Sequence, residues 1–293
     1  MIWGLGASLA WGVGYVVSRQ PTRTLGTLRL LFYTDLLVLI ATSVYVLVRP
    51  QEQAVLIGAG AAAWGFAIGY ACLNGVANLV FVRSIEIGVL AIVTPISATY
   101  AVFIVLLTLL TGESLTVLQG IGCTGAFIGV ALTSISPTGL TQADAHKGKR
   151  SAALTGALLA IVGATLYGVA YWIMGKFVVP SFGSVLPLWI SRWVSLALTL
   201  TVVVFSRAPR GIQLPEREAW LGLALSTALI YGGFVLNNIG YSRANIALVS
   251  VLASTYSAVT AVLAALFLKE RLAFWQWIGI AVIISSIIIV TIL

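Results

Sequence analysis

Charged side chains inside apolar runs are the first candidates for chemistry, because a charge in lipid is expensive. Asp35 lies about ten residues inside the run 25–48 and is the only acidic residue well within any such run. An acidic side chain near the centre of a bilayer costs roughly 2.5–3.5 kcal/mol. Asp35 is therefore either a proton or cation site, or the partner of a basic residue or a hydroxyl between packed helices. Arg29 lies about 120° away around the same helix, which makes it a poor partner there.

Two arginines are the next candidates. Arg29 and Arg192 each lie one to two turns inside an apolar run, at corresponding positions of the two halves of the chain. A guanidinium at such a position can receive a substrate carboxylate through two parallel hydrogen bonds. The alternative is that both side chains extend to the lipid headgroups. Their duplication favours a structural role common to both halves.

Aromatic residues at depth are candidates for lining a substrate site, because Trp and Tyr usually line the two membrane surfaces instead. The candidates are Trp11, Tyr15, Trp64, Tyr100, Tyr167, Tyr171 and Tyr256. Trp11 with Tyr15, and Tyr167 with Tyr171, are i,i+4 pairs that share one helix face. A space walled by these rings suits a ligand with an apolar or cationic part. The alternative is ordinary core packing between helices.

Enzyme chemistry is not indicated. The sequence has no H-E-x-x-H or G-x-S-x-G motif, its only histidine, His146, lies in a polar stretch, and no two acids share an apolar run at depth. We expect no catalytic residue, no cofactor and no metal site. Cys72 and Cys123 lie in apolar runs and are expected to be packing residues.

The composition predicts an integral, multi-pass membrane protein. Of the 293 residues, 60% are hydrophobic and 8% charged, with a mean hydropathy of +1.07, whereas about a quarter of a soluble domain is charged. Ten apolar runs are long enough to span a bilayer. They are 2–18, 25–48, 54–79, 88–110, 118–133, 153–175, 184–205, 219–240, 246–267 and 275–293. The net charge of +8 is scattered through short loops, so it does not indicate nucleic-acid binding.

An internal repeat relates the two halves. ESLTVLQGIG (113–122) resembles ERLAFWQWIG (270–279), WGVGY (11–15) resembles YGVAY (167–171), and SATYAV (97–102) resembles ASTYSAV (253–259). The repeats are predicted at 1–135 and 152–293, joined by a polar, basic linker at 136–151. Five spans is an odd number, so the second repeat enters the membrane from the opposite side. The fold prediction is an all-α polytopic membrane protein with ten transmembrane helices in two inverted five-helix repeats and a site between them.

These features resemble the drug/metabolite transporter superfamily, and within it the EamA-type ten-helix carriers. The resemblance covers essentially the whole chain and rests on the duplicated unit, the Trp-Gly of the first span, Arg29 and Arg192, and the Gly-Glu and Lys-Glu-Arg turns. Tyr-Pro or Ser-Pro pairs of the family are absent, since Ala101 and Ser257 follow the tyrosines of spans four and nine. The resemblance implies movement of small polar metabolites, often amino acids and usually outward, with both termini inside the cell.

The functional prediction is a carrier of small polar or amphipathic metabolites, amino-acid-like and exported, working by alternating access in the plasma (inner) membrane. A channel or a non-transporting membrane interaction protein is the alternative. Expected partners are a small-molecule substrate, the lipid bilayer and a second copy of the chain in a homodimer.

Small residues spaced four apart predict close helix contacts. They are Ala61, Gly65 and Gly69 in span three, and Gly125 and Gly129 in span five.

Overall fold

A computed structural model describes residues 1–25, 27–87, 93, 96–97, 99–134, 150–205, 217–267 and 273–292, and the described secondary structure is helical throughout, without strands. Helical residues occur in each of the ten predicted spans. Five helical segments are long and apolar enough to cross a membrane, and four shorter apolar helices accompany them within the described residues. The prediction of an all-α polytopic membrane protein is confirmed. Most of the linker predicted at 136–151 lies outside the described residues.

The first half contains six described helices. They are α1 (Ile2–Leu25), α2 (Thr27–Val48), α3 (Pro50–Gly58), α4 (Ala61–Ile87), α5 (Tyr100–Leu110) and α6 (Val117–Ser134). The short α3 was not predicted, and span three begins as α4 at Ala61 rather than at residue 54. Pro50 is the first residue of α3, where its missing N–H has no helical partner to lose.

The second half contains seven described α-helices and one π-helical segment. They are α7 (Arg150–Ile173), the π segment Met174–Val178, α8 (Val179–Phe182), α9 (Leu186–Phe205), α10 (Arg217–Arg243), α11 (Ile246–Ser254), α12 (Tyr256–Phe267) and α13 (Phe274–Ile292). Predicted span nine is therefore two helices that meet at Thr255 rather than one continuous helix.

The equivalent spans α2 and α9 run antiparallel. Ser195 of α9 contacts Asp35 of α2, whereas the earlier Trp189 of α9 contacts the later Ser43 of α2. The same reversal joins α6 and α13, because Gln276 bonds the carbonyl of Thr133 while Gly122 faces Val290. Equivalent spans that run in opposite directions are what an inverted repeat requires.

Packing between the remaining spans follows the same symmetry. Helix α1 packs along α10, and α4 packs along α7. Exchanging the two halves converts one of these pairs into the other, because α1 corresponds to α7 and α4 to α10. The same exchange maps the α2–α9 pair onto itself, and likewise the α6–α13 pair. Each of these two pairs therefore lies across the pseudo-two-fold axis.

The two stripes of small residues behave differently. A Cβ at Gly129 would lie 2.8 Å from the carbonyl oxygen of Gly279, and one at Gly125 would lie 2.4 Å from Ser286 Oγ. This confirms the predicted close contact for span five, which is between α6 and α13. A Cβ at Gly65 or Gly69 would meet nothing within 4 Å, so no described helix packs closely against these two glycines.

Candidate substrate site between the repeats

A buried ion pair lies where α2 meets α9. Arg192 donates to the Asp35 carboxylate at 2.5 Å, and Ser195 Oγ donates to its second oxygen at 2.6 Å. Arg192 also donates to the hydroxyl of Tyr231 at 2.7 Å, and its guanidinium lies 5.0 Å from the centre of that ring. Both oxygens of the carboxylate are thus engaged, and the pair carries no net charge.

This geometry matches the second of the two alternatives for Asp35, a pairing with a basic residue and a hydroxyl. Asp35 and Arg192 are the two charged side chains buried within the described residues. Arg29 lies near the start of α2 and is half-buried, whereas Arg192 is buried beside Asp35. The two arginines therefore occupy equivalent positions but different environments.

Aromatic rings from both repeats form one continuous network beside this pair. The ring of Trp11 lies 4.9 Å from Phe234 and 5.9 Å from Tyr256, between centroids, and Tyr15 lies 5.3 Å from Tyr256. The indole N–H of Trp11 donates to the carbonyl of Ile230 at 2.8 Å, which fixes α1 against α10. We call the rings of Trp11, Tyr15, Tyr100, Tyr167, Tyr171, Tyr231, Phe234 and Tyr256 the ring network.

The other side of the ring network comes from α5 and α7. The Tyr171 ring lies 6.2 Å from Phe234, 5.5 Å from Tyr167 and 5.6 Å from Tyr100. Six of the seven predicted aromatic residues are therefore brought together. Trp64 is the seventh and lies elsewhere, with its ring 5.2 Å from Phe182 and its N–H bonded to the carbonyl of Leu56 in α3.

Tyr231 and Phe234 join the network although they were not predicted as site residues. Their rings lie 5.6 Å apart, and Tyr231 connects the network to the Arg192 guanidinium. An i,i+3 spacing places both on one face of α10. The spacing is visible in the sequence, but the sequence does not show that this face of α10 is directed towards Trp11.

Tyr15 is the most accessible of the predicted aromatic residues. Its side chain is 42% accessible, whereas Trp11 is only 5% and Tyr100 only 8% accessible. The Tyr15 ring lies 5.3 Å from that of Tyr256. Tyr15 therefore contacts the second repeat and keeps part of its side chain accessible.

Several phenol groups of the network are free to bind a ligand. Tyr167 bonds Asn78 at 3.3 Å, and Tyr231 accepts from Arg192. Within the described parts of the chain, the hydroxyls of Tyr15, Tyr100, Tyr171 and Tyr256 have no hydrogen-bond partner. A buried phenol normally finds a partner, so these groups are suited to water or substrate.

Two threonines border the network at equivalent positions, Thr99 where α5 begins and Thr255 where α11 meets α12. Thr99 has φ −74°, ψ −2°, and Thr255 has φ −69°, ψ −2°. Each threonine hydroxyl donates to the carbonyl three residues earlier, at Ile96 (2.6 Å) and Leu252 (2.7 Å). Tyr100 and Tyr256 then begin α5 and α12. Interrupted helices at membrane depth are found where the backbone lines a cavity or is buried in protein.

A second polar cluster joins the repeats away from the network. Lys176 of the π segment pairs with Glu113 at 2.6 Å, and Asn245 donates to the other oxygen of Glu113 at 3.1 Å. The side-chain oxygen of Asn245 in turn caps α11 by accepting from the N–H groups of Ala247 and Leu248. The Gly-Glu turn of the first repeat is thereby tied to the π segment and to the residue that caps α11 in the second repeat.

Comparison with known proteins gives a family and a fold. The model of the EamA-like transporter family matches residues 1–135 and 154–292. No curated protein matches the sequence. Among solved structures, one titled only as the crystal structure of a protein is 16% identical, with a TM-score of 0.78 over 99% of this chain and 95% of its own. At that identity the likeness concerns the fold alone.

Proposed function

Because the chain belongs to the EamA-like transporter family, which places it among membrane transporters of the drug/metabolite type, we propose that it is a carrier that exports small amphipathic metabolites, amino-acid-like in size and polarity, across the plasma membrane. Substrate binds within the ring network, between the two repeats. The two sides of the membrane reach this site in turn, by alternating access.

The observation that carries this proposal is the composition of the ring network from both repeats. Trp11 and Tyr100 come from the first repeat, and Tyr171, Phe234 and Tyr256 from the second. A ligand held there contacts both halves at once. Rocking of one half against the other changes access to such a site without dismantling it, which is the general behaviour of inverted-repeat carriers.

The helix break at Thr255 supplies a means of motion. Thr255 is the junction of α11 and α12, and its hydroxyl also contacts Ser8 of α1 at 2.9 Å. Helix α11 is buried along its whole length, whereas α12 is only partly buried. A short helix anchored at one side of a break lets the other side move, because a break removes the ladder hydrogen bonds that make a helix stiff.

The test begins with binding. A thermal-shift screen of the detergent-purified chain over amino acids, amines, bases and sugars identifies ligands, because specific binding stabilises the folded state by mass action. The best ligand is then followed in proteoliposomes by counterflow. A carrier gives saturable, stereoselective exchange that a substrate on the opposite side accelerates. Ohmic current without saturation indicates a channel, and binding without flux in either direction contradicts the proposal.

A further inference from the structure

The positive charge next to the ring network is already balanced. Among the described residues, the guanidinium that contacts the network is that of Arg192, which bonds Tyr231 and is held 2.5 Å from the Asp35 carboxylate. The network therefore offers no uncompensated positive charge among the described residues. A carboxylate entering this site has to compete with Asp35 for Arg192, and it loses its own hydration in doing so.

The remaining groups favour the opposite charge. Aromatic faces attract a positive charge through the ring quadrupole when it lies within about 6 Å of the ring centre. The phenolic oxygens of Tyr15, Tyr100, Tyr171 and Tyr256 have no partner in the described chain and can accept hydrogen bonds from an N–H donor. An ammonium group placed among them meets several electron-rich faces and acceptors at once.

We propose that the ring network binds the ammonium group of the substrate, and that the carrier takes amines with an apolar body in preference to carboxylates. This inference rests on the proposed function, since it names the substrate class of the same site. The apolar body of the ligand lies against Trp11 and Phe234, whose rings are edge-to-face at 4.9 Å. The positive nitrogen lies towards Tyr15, the most accessible phenol of the network.

Four ligands with the same phenyl body separate charge from shape. They are 2-phenylethylamine (positive), 2-phenylethanol (neutral), phenylalanine (zwitterionic) and 3-phenylpropionate (negative). Binding to the full purified chain is measured by competition at equilibrium. The amine is expected to bind at least about tenfold more tightly than the alcohol and the carboxylate, in line with a desolvated cation–π contact. Equal affinity for all four, tighter binding of 3-phenylpropionate, or binding of none overturns the inference.

Substitution of Tyr15 separates the ring from its hydroxyl. Tyr15→Phe keeps the aromatic face, whereas Tyr15→Leu removes it. We expect Tyr15→Leu to weaken 2-phenylethylamine about five- to thirtyfold and Tyr15→Phe to weaken it less than about threefold. Phe66→Leu is the matched control, because Phe66 is equally accessible at 41% and its ring stacks on Phe177, outside the network. If Tyr15→Phe and Tyr15→Leu weaken binding equally, the aromatic face of Tyr15 does not hold the amine.

Failure of the inference and failure of the proposed function give different results. Tight amine binding without counterflow in proteoliposomes contradicts the carrier and leaves the ammonium site standing. Saturable flux of carboxylates with no preference for amines contradicts the ammonium site and leaves the carrier standing.

Discussion

Asp35 and Arg192 depend on each other, because each would be a lone charge in the interior without its partner. Removing one member of a buried ion pair is expected to cost about 3–5 kcal/mol, whereas replacing both by apolar residues is often neutral. The hydroxyls of Ser195 and Tyr231 complete the contacts of the pair. Such a pair can hold α2 against α9 in one conformation and separate in another, and the separated Asp35 carboxylate can then take up a proton.

The first prediction concerns this coupling. Asp35→Asn removes a group that can take up a proton and keeps its size, so we expect any pH-dependent component of transport to be lost while the protein still inserts in the membrane. The measurement is the pH profile of counterflow, with Ser195→Ala as the control that removes only the hydroxyl bonded to the carboxylate. Normal flux with an unchanged pH profile in Asp35→Asn reduces Asp35 to a packing residue.

Thr255 shows at the scale of elements how a helix break forms without proline, and Thr99 is its equivalent at the start of α5. Family members often place proline after the aromatic or serine residue at these sites, and this chain has Ala101 and Ser257 instead. The threonine hydroxyls bond the carbonyls three residues earlier, a side-chain bond that competes with the helical ladder. The break in span nine was not predicted, because the run 246–267 contains no proline or glycine and a threonine hydroxyl inside a helix usually makes a similar bond without a break.

The second prediction tests this local bond. Thr255→Val removes the hydroxyl that bonds Leu252 and Ser8 while keeping the shape, so we expect a loss of about 1–3 kcal/mol of stability and slower flux. Thr42→Val is the control, because Thr42 makes the same kind of bond to Val38 within the continuous helix α2. Thermal stability in detergent and counterflow rate are measured together. Equal effects of the two variants would show that the break has no special role.

The third prediction compares an alanine substitution in each of the two glycine stripes. Gly129→Ala places a Cβ 2.8 Å from the backbone of Gly279, so α6 and α13 have to separate, at a cost of about 1–3 kcal/mol. Gly65→Ala meets no atom within 4 Å and gains helix propensity of up to about 1 kcal/mol. The thermal midpoint is expected to fall for the first variant and to stay or rise for the second. A fall for Gly65→Ala of similar size would reveal a contact of α4 beyond this chain.

At the scale of the whole molecule, symmetry decides what the sequence could predict. The repeat is present in the sequence, so the inverted arrangement followed from it, whereas Trp11, Tyr100, Tyr171 and Tyr256 became candidates because of their positions within their spans. The partner of Asp35 did not follow, because the contact of α2 with α9 at the axis depends on helix rotation, and residue types do not encode rotation uniquely. Trp64 was expected in the ring network but lies apart from it, for the same reason. The sequence predicted the depth of Trp64 in its span, but not the direction in which its helix face points.

The last prediction concerns how the molecule sits in the membrane, where charge and family resemblance disagree. Twelve of the 16 basic residues lie on the side that bears the linker 136–151, and four lie on the side of both termini. The twelve are Arg19, Arg23, Arg29, Arg83, Lys147, Lys149, Arg150, Arg207, Arg210, Arg217, Lys269 and Arg271. Arg192 belongs to the four, yet it is buried in its ion pair and does not contribute to loop charge. Leaving out Arg29, Arg83, Arg192 and Arg243 still gives ten against two.

Basic loops stay in the cytoplasm because the positive-inside rule acts on short loops near the membrane. We therefore expect the linker in the cytoplasm and both termini outside, against the orientation that the family resemblance implies. A reporter that is active only in the cytoplasm, fused after Leu293, is expected to be inactive there, whereas the same reporter inserted between residues 140 and 141 is expected to be active. Activity after Leu293 with silence in the linker would reverse the assignment, and it would show that the ten basic residues do not set the orientation of this chain.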